Sequence, residues 1–254
     1  MSTRKNQLQA FERLLDIMDE LREKCPWDRK QTMESLRTLS IEEIYELSDA
    51  IIEKDSDEIK KELGDVFLHL VFYSKIAAEQ NQFDVADVLN SICDKLIHRH
   101  PHIYGDVNAD TEEKVLQNWE QIKLKEGNKS VLSGVPTSLP AMVKAYRIQD
   151  KVKGVGFEFE NSEQVFDKIQ EEIIEFKQEE NPIEKEMEFG DILFSIINYG
   201  RFIGINSEDA LERSNKKFIN RFQKLEEIAK ENNQNISDLT LSELEILWNT
   251  AKIR

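Results

Sequence analysis

The chain is 254 residues long, with 39% apolar and 33% charged residues, and it carries a formal net charge of -16. Its nine glycines and five prolines are too few turn residues for an all-β sandwich or barrel of this length. The acidic excess argues against nucleic acid as a partner, because phosphate backbones attract surfaces rich in Lys and Arg. We therefore expect a helical protein that does not bind nucleic acid.

Cysteine usage and the N-terminal sequence predict a cytoplasmic protein. Cys25 and Cys93 are too few for a disulfide framework and form no C-x-x-C pair, which is typical of a reducing compartment. The N-terminal residues contain no uninterrupted apolar segment of the kind that a secretion signal needs. The best apolar run, at 66–73, is far too short to span a membrane, so we expect no membrane association.

Apolar residues recur every three or four positions along most of the chain, which predicts amphipathic helices and an all-α fold. The fourth such helix is expected to end before Pro101. The segment 131–140 contains two prolines and a glycine, and it predicts a linker. The four leading apolar stripes are Phe11, Leu14, Leu15, Met18 and Leu21; Ile41, Ile44, Leu47 and Ile51; Leu63, Val66, Phe67, Leu70 and Val71; and Val85, Val88, Leu89, Ile92 and Leu96.

The second half of the chain repeats landmarks of the first half in the same order, which indicates an internal duplication. Two copies are too few for a typical solenoid. We therefore predict two tandem helical-bundle domains, 8–130 and 139–254, joined by a linker at 131–138. The matched pairs are Glu42 with Glu171, Glu43 with Glu172, Glu46 with Glu175, Glu62 with Glu188, Asp65 with Asp191, Lys95 with Lys217, Arg99 with Arg221 and Trp119 with Trp248.

Each half places several carboxylates three or four residues apart on two successive helices, where they share a face. Such clusters are costly without a cation, because like charges at short range repel each other. Asp65 and Asp191 each open a strongly apolar run, where an unpaired carboxylate is expensive. Ligands that are all oxygens suit Mg²⁺ or Mn²⁺ better than zinc. A solvated acidic face is the alternative; a di-iron bundle would need Glu-x-x-His pairs, which do not occur.

The repeated Glu-Glu-x-x-Glu motif, followed by Glu-x-x-Asp, resembles the MazG family of all-α nucleotide pyrophosphohydrolases. The segments 25–28, 99–102 and 119–123 add to this resemblance, which extends from about Leu14 to Trp248. It implies a helical bundle that forms a homodimer and binds Mg²⁺ at the carboxylates. It also implies hydrolysis of nucleoside triphosphates to monophosphate and pyrophosphate, with broad base tolerance, in the control of nucleotide pools.

The resemblance implies that the C-terminal copy is the main catalytic one. We hypothesise that Glu171 accepts the proton of the attacking water, and that Lys217 and Arg221 neutralise the leaving pyrophosphate. Trp248 is expected to stack on the base or ribose, and Lys123 matches a substrate-binding position of the family. The expected metal ligands are Glu172, Glu175, Glu188 and Asp191. The residues of a second possible site, in the first half, are Glu42, Glu43, Glu46, Glu62, Asp65, Lys95, Arg99 and Trp119.

Two other functions remain compatible with the sequence. One is a related all-α hydrolase with a narrow substrate range, similar to a dUTPase, which substrate profiling would separate from a broad enzyme. The other is a metal-stabilised helical dimer that acts as a partner-binding or regulatory module. That protein would gain stability from Mg²⁺ without turning over any triphosphate.

Overall fold

The structure is a computed structural model that describes residues 3–111, 114–115, 118–119, 122 and 130–253. These residues form ten α-helices and two short 3₁₀ turns, with no β-strand among them. The predicted all-α class is therefore confirmed. The helices are α1 (Arg4–Lys24), α2 (Met33–Glu53), α3 (Ser56–Glu79), α4 (Val85–Arg99), α5 (Pro101–Tyr104), α6 (Ala141–Lys153), α7 (Ser162–Gln178), α8 (Pro182–Phe202), α9 (Ser207–Glu231) and α10 (Leu241–Ile253).

The helices that carry the carboxylate motifs begin at side-chain caps. In α2 the Thr32 hydroxyl accepts from the Ser35 amide at 3.2 Å, and the Ser35 hydroxyl accepts from the Thr32 amide at 2.9 Å. Asn161 caps α7 in the same way through the Gln164 amide at 3.0 Å. The connections between α2 and α3 and between α7 and α8 are short, so each pair packs side by side. The carboxylates of the two motifs in each half therefore lie on neighbouring helices.

The chain divides into two compact units, Met1–Ala109 and Asp110–Arg254. Lys151, which is 5% exposed, donates to the carbonyl oxygens of Val131 at 2.9 Å and Ser133 at 3.3 Å. These bonds fasten part of the segment that we predicted as a linker to α6. The domain bounds 8–130, 131–138 and 139–254 remain a prediction.

The core of the first unit lies between α1, α2 and α3. Arg22 supports it, since its guanidinium bonds Glu79, with Nε to Oε1 at 2.9 Å, and also donates to the carbonyl oxygens of Asp28 and Gln31. The same guanidinium lies 5.5 Å from the ring centroid of Phe72. Arg22 thus ties the segment between α1 and α2 to α3. The buried core residues are Met18, Leu36, Val71, Phe72 and Ile76.

In the second unit, α9 and α10 share one apolar core, and a second set of buried residues lies between α7 and α8. The α7–α8 set consists of Val165, Ile169 and Ile197. The core between α9 and α10 consists of Leu225, Ile228, Ala229, Leu247 and Ala251. Among the described residues, no helix combines the length and the apolar character needed to cross a membrane.

Several apolar stripes that the sequence defines lie on the surface of the single chain. Met18 of the first stripe is buried, and Phe11, Leu14 and Leu15 pack against the core around it. Most residues of the other three stripes are exposed, including Ile44 of α2, with 52% of its surface accessible. Amphipathic spacing therefore identified faces of α2, α3 and α4 that this chain does not cover with its own described residues.

Candidate active site

The first unit brings three of the predicted carboxylates to one point. Glu43 on α2 and Glu62 and Asp65 on α3 each offer one oxygen atom, and these oxygen atoms lie within 4.8 Å of one another. The spacing of three residues between Glu62 and Asp65 places both on the face that α3 turns towards α2. Glu42 and Glu46 lie outside this triad with exposed side chains.

The second unit repeats the same arrangement with the matched residues. Glu172 on α7 and Glu188 and Asp191 on α8 also offer oxygen atoms that lie within 4.8 Å of one another. Glu171 and Glu175 are exposed and lie outside the triad. Each residue of the first triad is matched by the residue of the second triad that the duplication predicts.

One carboxylate of each triad is buried beside a lysine. Glu62 is 3% exposed, and its Oε1 accepts from Lys61 Nζ at 2.8 Å. Its Oε2 is buried and has no hydrogen-bond partner among the described residues. Glu172 is 6% exposed, and its Oε1 lies 2.8 Å from Lys168 Nζ. Lys168 also donates to Glu171 at 2.9 Å, so it bridges the predicted base and a predicted metal ligand.

Loss of solvent and, after it, crowded negative charge raise the proton affinity of carboxylates in both clusters. Loss of solvent raises the pKa of Glu43, and the charges of Asp65, Glu46 and Glu62 raise it further. The pKa of Glu188 is raised by the same two causes, with Glu175 contributing the largest charge effect. Glu175 therefore acts electrostatically on the second triad although it lies outside it. Both clusters favour the binding of a proton or a cation.

The residues present fit a hard divalent cation. All the donors are carboxylate oxygens, and one of the triads contains a buried oxygen, Glu62 Oε2, that no described residue pairs with. Within the described part of the chain, these are the two groups of at least three potential metal-binding side chains. We predicted a site whose ligands are all oxygens and which suits Mg²⁺ or Mn²⁺ better than zinc. The donors that the fold brings together agree with this prediction.

The predicted basic residues of the second half line a different depression, of about 430 Å³, on α9 and α10. Lys217 and Arg221 lie there, and the Arg221 guanidinium carbon is 5.0 Å from the ring centroid of Trp248. The Phe218 ring is also 5.0 Å from Trp248. The structure thus brings Lys217, Arg221 and Trp248 together, and it shows Trp248 already in contact with a cation and an aromatic ring. The other charged or polar residues that line this depression are Arg213, Lys216, Asn220, Lys224 and Lys252.

The counterparts in the first half are only partly described. Lys95 is exposed and Arg99 half-buried on α4, and Trp119 is half-buried. Lys123 lies outside the described residues. The roles assigned to these four side chains remain predictions.

Two features of the second unit were not predicted. Lys168 precedes Glu172 by one helical turn, so the spacing of four residues was a signal that could have identified it. Beside the triad there is also a cleft of about 510 Å³, with Gln149 in its wall. Nothing in the local sequence indicates Gln149, because its place depends on how α6 packs against α8.

Comparisons with known proteins agree with this geometry. The MazG nucleotide pyrophosphohydrolase domain matches residues 31–104, which include the whole first triad. The chain is 43% identical to the nucleoside triphosphate pyrophosphohydrolase/pyrophosphatase MazG of Thermotoga maritima, over 95% of both chains. It is 37% identical to the nucleoside triphosphate pyrophosphohydrolase of Escherichia coli K12, over 96% of this chain and 98% of that protein. It is also 43% identical to the uncharacterized protein YabN of Bacillus subtilis, over 95% of this chain and 51% of YabN.

An all-α fold that assembles the same oxygen-only carboxylate triad twice defines a class of helical proteins suited to divalent metals. Sequence identity over nearly the whole chain identifies the family within this class. The chain belongs to the MazG nucleotide pyrophosphohydrolase family.

Proposed function

We propose that this chain hydrolyses nucleoside triphosphates to nucleoside monophosphate and pyrophosphate, with broad base tolerance, in the control of nucleotide pools. The observation that carries the proposal is the carboxylate triad, which recurs at matched positions in both units. The names and near full-length identity of the Thermotoga and Escherichia relatives support it.

In this proposal the second unit holds Mg²⁺, or Mn²⁺ in its place, through Glu172, Glu188 and Asp191, with Glu175 close to them. When bound, the cation neutralises phosphate charge and makes a water more acidic. Without that neutralisation the triad would repel a triphosphate, since both carry negative charge. Lys168, which pairs with Glu172 at 2.8 Å, moderates this repulsion from within the chain.

We assign the proton transfer to Glu171. Its carboxylate is exposed, adjoins Glu172, lies outside the triad and is held by Lys168 at 2.9 Å. A carboxylate that is not fully committed to metal is able to accept a proton from the attacking water at one of its oxygens. Lys168 would orient Glu171 for this step through the observed ion pair.

The basic depression on α9 and α10 is assigned to the polyphosphate. Lys217 and Arg221 lie one turn apart, and Arg221 offers a planar fork suited to phosphate oxygens. Its stacking on Trp248 limits the motion of the guanidinium and so reduces the entropy lost on binding. Lys123 and Trp248, the latter through the ribose, complete the proposed substrate contacts.

We also propose that the protein is a cytoplasmic homodimer. The many exposed apolar residues of α2, α3 and α4 support dimerisation, because extensive exposed apolar surface is typical of association sites. The two cysteines are unpaired, which suits a reducing compartment. The net charge of -16 makes a role on nucleic acid unfavourable.

Pyrophosphate release from each common ribo- and deoxyribonucleoside triphosphate, with Mg²⁺ and with chelator, tests the proposal. We expect release from all of them in Mg²⁺ and none in chelator. Cleavage of a single substrate, such as dUTP, would replace the broad hydrolase with a dUTPase-like one. Stabilisation by Mg²⁺ without any release would instead favour the partner-binding or regulatory dimer.

A further inference from the structure

A cleft beside the second triad has the size and composition of a small-molecule pocket. It encloses about 510 Å³ between α6, α7, α8 and the loop that follows α6, which lies within the usual range for ligand pockets. Glu172 and Asp191 of the triad lie in its wall, so an occupant would adjoin the carboxylates. Three aromatic rings, those of Phe157, Phe159 and Phe194, supply much of its apolar lining.

Gln149 brings a hydrogen-bond acceptor of fixed orientation to the wall of this cleft. The residue is 3% exposed, and its Nε2 donates to the carbonyl oxygen of Phe194 at 2.8 Å. Because a carbonyl oxygen only accepts, this bond determines which end of the amide is the oxygen. Gln149 Oε1 is buried and has no hydrogen-bond partner in the described part of the chain. A buried acceptor without a partner is costly, and a ligand N–H would satisfy it.

The walls of the cleft are formed before any ligand arrives. Arg201, whose side chain is 5% exposed, bonds Glu158 at 2.7 Å and Asn198 Oδ1 at 2.9 Å. Gly156 turns the loop with φ of +87°, a conformation that favours glycine. Phe157 follows directly and is 80% exposed, which leaves one large aromatic ring at the cleft uncovered by the protein.

We propose that this cleft binds the nucleobase of the triphosphate and that Gln149 Oε1 accepts a hydrogen bond from a base N–H. This inference rests on the proposed function and adds Gln149 as the residue that contacts the base. Adenine and cytosine carry an amino group, and guanine, uracil and thymine carry a ring N–H. One fixed acceptor therefore suits every common base, and aromatic rings stack on any of them. The pair of contacts accounts for broad base tolerance without a separate pocket for each base.

The wild-type chain tests this contact without any substitution. Calorimetry in Mg²⁺ compares α,β-methylene-ATP, which resists cleavage between the α and β phosphates, with the same analogue of purine riboside, which lacks only the amino group. We expect the purine riboside analogue to bind about tenfold more weakly, because Gln149 Oε1 is left unpaired. A 2′-deoxy analogue should bind as well as the ribo form. Loss of affinity in the 2′-deoxy analogue alone would assign the acceptor to the sugar and overturn the inference.

The Gln149→Met variant removes the acceptor at similar length, and the exposed Gln178→Met, at the end of α7, is its matched control. Gln149→Met should bind both purine analogues equally, whereas Gln178→Met keeps the wild-type difference. Thermal unfolding checks that each variant folds. If Gln149→Met does not fold, the comparison of the two analogues on the wild type decides alone.

Equal affinity of the wild type for the two analogues, or a difference that persists in Gln149→Met, would refute the base contact. Pyrophosphate release and the binding of tripolyphosphate are then the separate readouts of the proposed function. If these persist, only the base cleft is wrong. If the wild type neither binds nor cleaves any triphosphate, the proposed function fails as well.

Discussion

The substitution Glu62→Gln tests whether a buried carboxylate is held in place for a cation. Glu62 is 3% exposed, and its Oε2 has no hydrogen-bond partner in the part of the chain that the structure describes. An unpaired buried group of this kind costs about 1–3 kcal/mol. An amide removes the charge that repels Glu43 and Asp65 and offers them an N–H donor. In chelator we therefore expect Glu62→Gln to have a free energy of unfolding about 1–3 kcal/mol above that of the wild type.

Saturating Mg²⁺ should offset most or all of this difference. A cation at about one hundred times its Kd stabilises the wild type by about 2.7 kcal/mol, while the Gln variant gains little at this site. Differential scanning calorimetry of the full chain measures both conditions, and each kcal/mol moves the midpoint of a unit of this size by about 4–8 °C. Glu58→Gln, which removes a more exposed partner of the same Lys61, is the control and should stay within about 0.5 kcal/mol of the wild type. A Glu62→Gln variant that is less stable than the wild type in chelator, or equal gains from Mg²⁺ in both proteins, would refute the reasoning.

Three further predictions concern charge. The pKa values of Glu43, Glu46 and Glu188 are raised above their ordinary 4.5, first by loss of solvent, so the folded state binds more protons than the unfolded one. In chelator the unfolding midpoint of Glu188→Gln should therefore gain on that of the wild type as the pH rises above 4.5; an unchanged difference between the two midpoints would contradict this. Lys168→Met should lower stability in chelator and tighten Mg²⁺ binding in calorimetry, because the ammonium competes for Glu172; weaker binding would count against that role. Arg22→Met should lower the free energy of unfolding in urea by about 2–3 kcal/mol, because the bonds to Glu79 and to two carbonyl oxygens are lost. The exposed Arg13→Met should lower it by almost nothing, and equal losses in the two variants would contradict this prediction.

The carboxylate triads were predictable because their geometry is mostly local. A spacing of three residues fixes Glu62 with Asp65 and Glu188 with Asp191 on one helical face. Short, capped connections then bring the partner helices alongside. The duplication strengthened the prediction, since both triads use matched positions.

The remaining features depend on tertiary packing, which residue spacing does not encode. The buried carboxylate of the triad is Glu62 of α3 in the first unit but Glu172 of α7 in the second, although the two motifs are alike. Gln149 reaches its cleft only because α6 packs against α8. The apolar stripes of α2 to α4 were recognised correctly as amphipathic, but periodicity identifies a face and not what covers it. Spacing along the chain placed Lys217 and Arg221 one turn apart on α9, whereas only the folded unit shows that residues of α10 line the same depression.

The most direct test of the central claim is pyrophosphate release by the wild type, Glu172→Gln and Glu43→Gln in Mg²⁺. These two glutamates are matched positions of the two triads, so each variant serves as the control for the other. We expect release by the wild type, a loss on the order of a hundredfold in Glu172→Gln, and retained release in Glu43→Gln. Loss in Glu43→Gln alone would move the catalytic site to the first unit. No release by the wild type, or full release by both variants, would contradict the assignment of the triads to triphosphate hydrolysis.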